Sequence, residues 1–441
     1  MAQQSTPPQP SLSAQAEEDL CLLSLDGGGV RGLSSLYILS QIMEQLNIQR
    51  EELEVPLPKV KPCEIFDLIG GTSTGGLIAL MLGRLEMDVD ACIETYLKLM
   101  NRVFVARIAG APRMLPFNLS GKVQPRYQSD FLRGVMSEVI MKNGESPDAL
   151  LFSMPDYTQK QTPDVSNMGT CKVFVCAKKI ENAPRHELLR TYALKDTKDF
   201  LQPTIIEAAM ATTAAPTFFE KASVGKGSHS QKFVDGSLGT NNPVEEVYKE
   251  ARNRIWKVSN KPPVTPKCLI SLGTGRKKDT HVEDSLYGII GTMKGMITDA
   301  DERAESFLTN LGEQGFYFLF TVHQDLVRMD EADKLTLIRS KTIDYLDEWE
   351  IKKKRMKCVK TLVKKKPKSM ILFALEAGEQ ALRRFDFNEA LIKYAEAYEI
   401  LRTQQQRRKQ GWKRWKEQIR KKMKYWNRRS HWKGSSRVDS S

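Results

Sequence analysis

The stretch "FDLIGGTSTGGLIALMLG", residues 66–83, sets one serine among glycines between two apolar runs. A hydroxyl inside a buried strand is costly unless it is hydrogen-bonded. At the tip of a tight turn from strand to helix, the same hydroxyl is available for chemistry. Gly71-Thr72-Ser73-Thr74-Gly75 fits G-x-S-x-G, where the turn strains the serine backbone and small flanking residues clear the neighbouring strand and helix. The hydroxyl then sits at the N-terminus of a helix starting at Thr74, whose dipole favours a developing negative charge. Taken alone, the pentapeptide is equally compatible with a glycine-rich turn that does no chemistry.

Outward from this turn the pattern repeats. "LCLLSL" (20–25) is a short apolar run ending in glycines, and "GLSSLYILSQIMEQLNI" (32–48) carries apolar residues at helical spacing. "CKVFVCAKK" (171–179) and "CLISLGTG" (268–275) read as further strands, with helical patterns between them. Alternating strands and helices predict an α/β domain around a mostly parallel sheet. Residues 105–165, rich in Pro, Gly and Ser, fit neither period, and 286–311 read as helical.

Composition bounds the partners. With 441 residues, 41% of them hydrophobic, the chain can bury one large core and carry appendages. The first 19 residues lack the basic and apolar regions of a signal peptide and read as a disordered leader. No run reaches the roughly 20 apolar residues of a membrane span. Seven scattered cysteines without a C-x-x-C pair point to free thiols in a reducing, cytoplasmic setting. Net charge is +13, yet residues 351–370 hold ten Lys/Arg and no acid, and residues 405–441 hold fourteen Lys/Arg against two acids. The remaining body is therefore acidic, and an anionic partner is expected for the C-terminal quarter alone.

A second glycine loop precedes the serine. Gly27-Gly28-Gly29-Val30-Arg31-Gly32 matches G-x-G-x-x-G, but no acidic residue closes a second strand about 20 positions on, so dinucleotide binding is the weaker reading. The stronger one is a row of backbone amides forming an oxyanion hole, with Arg31 adding fixed positive charge. The serine also needs a base. His281 and His323 lie late enough for an α/β-hydrolase order but have no distinctive setting. Asp235, in "KFVDGSLGTNNPVEE", follows a strand-like pair and opens a glycine-rich turn, and a carboxylate can serve if its pKa and distance suit. Its plainer role would be to cap that turn. No Cys/His or acidic set has zinc or calcium spacing, so no metal or cofactor is expected.

"LSLDGGGVRG", "GGTSTGG" and "VDGSLGTNNP", in that order, resemble the patatin-like phospholipases, with "AAMATTAAPTFFE" and "SLGTG" in support. The likeness covers roughly residues 20–345 and is similar to calcium-independent phospholipases A2 and to fungal cytosolic patatin-like proteins. It implies a three-layer α/β/α domain, a Ser73–Asp235 dyad, and an oxyanion hole from Gly27, Gly28 and Gly29. It also implies a lipid acyl hydrolase acting on phospholipid or another acyl lipid. Gly236 matches the family's acid loop, whereas Ser237 stands where the family usually has Gly or Ala. A catalytically silent scaffold of the same fold is the competing reading.

The expected organisation is a leader (1–19), the hydrolase domain (20–350), a basic linker or exposed helix (351–370), a helical hairpin (371–404) and a basic tail (405–441). The hairpin resembles one tetratricopeptide repeat, which cannot bury its own face and so predicts a protein partner or packing on the domain. In the tail, Trp412, Trp415, Ile419, Met423 and Trp426 fall on one helical face among lysines and arginines. That pattern predicts peripheral association with anionic membrane. A calmodulin-type target helix, non-specific nucleic-acid binding and a disordered tail are its alternatives, and specific nucleic-acid recognition is not expected.

Overall fold

The computed structural model describes residues 20–54, 59–105, 127–152, 171–181, 186–194, 201–257, 262–275, 315–322 and 327–365, apart from position 217, together with a few isolated positions. The leader, the hairpin, the tail, and most of 106–170 and 276–311 lie outside the described residues.

Five consecutive buried residues form β1 (Cys21–Leu25) and five more form β2 (Leu68–Thr72). Such unbroken burial is what a strand covered on both faces requires. With β3 (Lys172–Lys179), β7 (Cys268–Leu272) and β8 (Tyr317–Phe320) they make a parallel core in the order β3-β2-β1-β7-β8. β4 (His186–Arg190) runs antiparallel to β3, as does β6 (Gln231–Asp235), which carries β5 (Ala222–Val224) beyond it. The result is an eight-stranded, mostly parallel sheet.

Alternate strand residues feed two cores. Leu23 and Leu25 pack into one with Leu33, Leu36 and Ile78, while Leu22, Leu68 and Phe174 pack into the other with Val244 and Val247. Helices thus cover both faces in the expected α/β/α layering. The larger layer holds α1 (Gly32–Glu51), α2 (Thr74–Ala79), α3 (Val89–Val105), α4 (Ser129–Lys142) and α5 (Ile205–Thr213). α6 (Val244–Glu250) lies on the opposite face. Among the described residues, no helix is long and apolar enough to cross a membrane.

Two elements depart from the sequence reading. α4 lies inside the stretch that fitted neither period, burying Leu132, Val135, Met136, Val139 and Ile140 along one side. In place of a linker or exposed helix, the basic segment contributes α8 (Trp349–Leu362), which follows α7 (Leu335–Asp347) and packs on α1 and β7. Its lysines hide a second pattern: Ile351, Cys358, Val359 and Leu362 share a buried side. Just beyond it the chain is pinned, because buried Arg50 donates from Nη1 to the carbonyls of Val363 (3.0 Å) and Lys365 (2.9 Å).

Candidate active site

The site lies where β1 and β2 end. Leu25 and Thr72 close the two strands, and the glycine loop and Ser73 follow directly. Ser73 has φ 54° and ψ −125°, a left-handed backbone that side chains seldom adopt. The turn is feasible because a Cβ on Gly71 would strike the carbonyl of Gly75, and one on Gly75 would strike the carbonyls of Leu25 and Asp26. The flanking glycines therefore let strand and helix close around the serine, as the G-x-S-x-G reading anticipates. Thr72 Oγ1 donates to the carbonyl of Thr240 at 2.8 Å, tying β2 to the acid loop.

Sheet pairing brings the aspartate to the serine. Residues 174–176 of β3 pair with both β2 and β4, while 177 and 178 pair with both β4 and β6. β6 therefore takes the edge of β3 that β2 vacates after Thr72, and Asp235 lands beyond the tip of β2. Ser73 Oγ donates to Asp235 Oδ2 at 2.6 Å, across 162 positions of sequence. Asp235 Oδ1 accepts the amide of Ser237 at 2.8 Å. The carboxyl is buried and makes no ion pair among the described residues, and burial pushes its pKa up to about 6 against the opposing hydrogen bonds from Ser73 and Ser237. The carboxylate is thus a stronger base than an exposed aspartate.

One segment holds both groups. Thr212, at the end of α5, accepts the Ser73 amide on Oγ1 at 2.9 Å and donates to the carbonyl of Cys176 at 2.7 Å. Two residues later, the carbonyl of Ala214 takes the amide of Asp235 at 3.0 Å. Thr212 was not singled out in the sequence. Its signal is "AAMATTAAPTFFE", a small-residue run whose paired threonines have no part in an apolar face.

The glycine loop divides its labour unevenly. The Gly27 amide donates to the carbonyl of Asn241 at 3.1 Å, so it is occupied within the protein. The Gly28 amide points at Thr74 Oγ1 at 3.3 Å. The amides of Gly29 and Thr74 have no partner among the described residues, and both residues line the pocket above Ser73. Gly29 has φ 57°, and a Cβ there would strike the carbonyl of Met329, whose oxygen accepts the Val30 amide at 2.9 Å. Arg31 corrects the expectation of charge in the pocket. It is buried, does not line the pocket, and donates from Nε to the carbonyl of Gly28 at 3.4 Å, alongside its own amide at 3.2 Å. That carbonyl shares a trans peptide with the Gly29 amide, so holding the one aims the other in the opposite direction. Gly32 is a packing position, because a Cβ there would meet the hydroxyl of Tyr96. Tyr96 in turn donates to the carbonyl of Gly29 at 2.5 Å.

The stretches that carried the resemblance converge on this loop. Asn241 Nδ2 and Thr274 Oγ1 both donate to the carbonyl of Gly27, at 3.3 and 2.8 Å, and Asn242 Nδ2 donates to Asp26 Oδ2 at 3.2 Å. The patatin-like phospholipase family model matches residues 23–248, a span holding Ser73, Asp235 and the glycine loop. The chain belongs to the patatin-like phospholipase family. It is 28% identical over 346 residues to calcium-independent phospholipase A2-gamma of Homo sapiens, covering 76% of this chain and 39% of that protein. Patatin-like protein 1 of Arabidopsis thaliana is 27% identical over 280 residues, 58% of this chain and 59% of its own length. Patatin-07 of Solanum tuberosum is 26% identical over 344 residues, 72% of this chain and 75% of its own length.

The pocket of this patatin-like domain is apolar around its reactive floor. Leu77, Leu99, Met100 and Val103 line one part, and Phe104, Leu132, Phe218 and Phe219 another. Phe104 meets Tyr127 edge-on at 5.1 Å, and Tyr127 stacks on Phe218 at 5.9 Å, building an aromatic wall. Among the described residues, no lysine or arginine lines it. Among the described histidines, His186 and His229, neither does. His281, His323 and His431 lie outside the described residues. Among the described residues, no group of three or more His, Cys, Asp or Glu could hold a metal ion.

Proposed function

We propose that the chain is a lipid acyl hydrolase working through a Ser73–Asp235 dyad. The observation that carries this reading is the 2.6 Å hydrogen bond from Ser73 Oγ to a buried Asp235 carboxylate that has no cationic partner. Asp235 accepts the hydroxyl proton as Ser73 Oγ attacks the ester carbonyl. The resulting oxyanion is met by the open amides of Gly29 and Thr74, with the dipole of α2 behind them. Collapse transfers the proton to the leaving alcohol and leaves Ser73 acylated. Water, deprotonated by Asp235, then releases the fatty acid.

The apolar lining supports recognition of an acyl chain. A phospholipid or a neutral acyl lipid fits on these terms. We further propose that the Trp-rich tail at 405–441 draws the protein to anionic membrane, since its tryptophans fall on one helical face among lysines and arginines.

A fluorophosphonate probe tests the reading. The wild type should be labelled and should hydrolyse a soluble acyl ester, and Ser73→Ala should do neither. A wild-type protein that is folded yet inert, beside a serine hydrolase that labels, would point to a non-catalytic scaffold.

A further inference from the structure

α8 carries a second pattern on the side away from its buried one. Lys353, Lys357, Lys360 and Lys364 are all exposed, and none has an ion pair or hydrogen bond among the described residues. With 3.6 residues per turn the three on α8, Lys353, Lys357 and Lys360, fall within an arc of about 60°, and Trp349 extends it to about 80°, while Lys364 sits in the turn two residues past the helix. Trp349 is 74% exposed, the most exposed of the large hydrophobic residues described. Opposite this arc stand the buried Ile351, Cys358 and Leu362.

An ordinary solvated face mixes its signs. α6 does so, pairing Lys249 with Glu245 at 2.6 Å across one turn. On α8 the neighbours at three and four residues are lysine against lysine, an arrangement that weakens an isolated helix. The acids nearby, Asp347, Glu348 and Glu350, all sit at its N-terminal end, and Asp347 is engaged by Lys352 at 3.0 Å. The helix holds its shape through its buried side and its pinned exit at Arg50, so the lysines stay aligned despite their repulsion.

We propose that this stripe docks the domain on an anionic lipid surface, with the lysines facing the head groups and Trp349 entering the interface. An indole is suited to a boundary with one wet and one apolar side. The choice of lipid over nucleic acid rests on the acyl-hydrolase reading. The surface itself lies on the described domain, and its residues precede the tail in the sequence.

Co-sedimentation of the full chain with vesicles tests it, comparing phosphatidylcholine alone with an equimolar mixture containing phosphatidylserine. Replacing all four lysines by glutamine should lower binding to the mixed vesicles by roughly six hundredfold, since each lysine near such a surface is worth about fivefold. Binding to phosphatidylcholine, the thermal midpoint and hydrolysis of a soluble ester should not change. Four arginines should restore binding, and Trp349→Ala alone should lower it by roughly fivefold. Mixed-vesicle binding unaltered by the glutamines would overturn the proposal. So would retained vesicle binding with lost capture by a single-stranded polynucleotide, which would give the stripe to nucleic acid. Failure of ester hydrolysis in the wild type would strike the acyl-hydrolase reading and leave the vesicle comparison readable on its own.

Discussion

The two ends of β2 each bury an aspartate, and the protein treats them in opposite ways. Before the strand, Asp67 Oδ2 takes Lys365 Nζ at 2.9 Å and the Cys21 amide at 2.7 Å. Beyond it, Asp235 takes two hydrogen bonds from neutral groups and no cation. Asp67 is neutralised and fixed, and it clamps the segment after α8 to the foot of the sheet. Asp235 is left able to gain a proton. Burial alone therefore does not mark the proposed base. What distinguishes it is burial without a counter-charge, next to a hydroxyl.

The sharpest way to break this comparison is to exchange the consequences. Asp235→Asn should lower kcat/KM by about a thousandfold or more, the upper range for loss of a general base. Denaturant unfolding should show its stability kept or raised, because a buried carboxylate has gone. Asp67→Ala should do the reverse. Stranding the Lys365 charge should cost about 3–5 kcal/mol of unfolding free energy, with turnover per folded molecule preserved. Equal stability losses for the two variants would dissolve the distinction.

A smaller effect probes the mount beneath Ser73. Thr212→Val keeps the shape but leaves the Ser73 amide and the Cys176 carbonyl without the hydroxyl. Leaving such groups unsatisfied costs about 1–3 kcal/mol, so kcat should fall roughly tenfold to a hundredfold with KM little changed. Thr212→Ser should recover most of the rate. A change in KM with kcat intact would place Thr212 in substrate binding instead.

The smallest expected effect is on pH dependence. On the proposed mechanism Asp235 acts ionised, and burial pushes its pKa up to about 6, so activity should fall about tenfold per unit below that value and level off above it. The Ser237 hydroxyl favours the carboxylate and holds this pKa down against burial. Ser237→Ala should therefore move the acidic limb of the pH–rate profile to higher pH. A shift to lower pH would mean that the hydroxyl favours the protonated acid.

Much of this arrangement is legible in the sequence because it depends on local chemistry. The glycines around Ser73 mark a turn that backbone contacts demand, and the apolar runs before both loops mark strands. Asp235 is recognisable from its Asp-Gly turn and from the family resemblance. What the sequence hides is pairing between distant segments. Nothing local announces that β6 takes the edge of β3 left free by β2, or that Thr212 supports the Ser73 amide. Arg31 misleads for a related reason: its charge is plain in the sequence, but its direction depends on the Gly28 carbonyl. In α8, six basic residues in fourteen mask four apolar positions that spacing alone would have assigned to the core.

Thr212 and Ala214 stand two residues apart, one holding the backbone of Ser73 and the other the backbone of Asp235, the proposed nucleophile and base. A machinist would recognise a shared bracket. Both supports come from the end of α5 and the residue after it, so one local segment sets the backbone of each partner. The reactive distance is thus referenced to one short piece of chain, although its two ends belong to strands far apart in sequence.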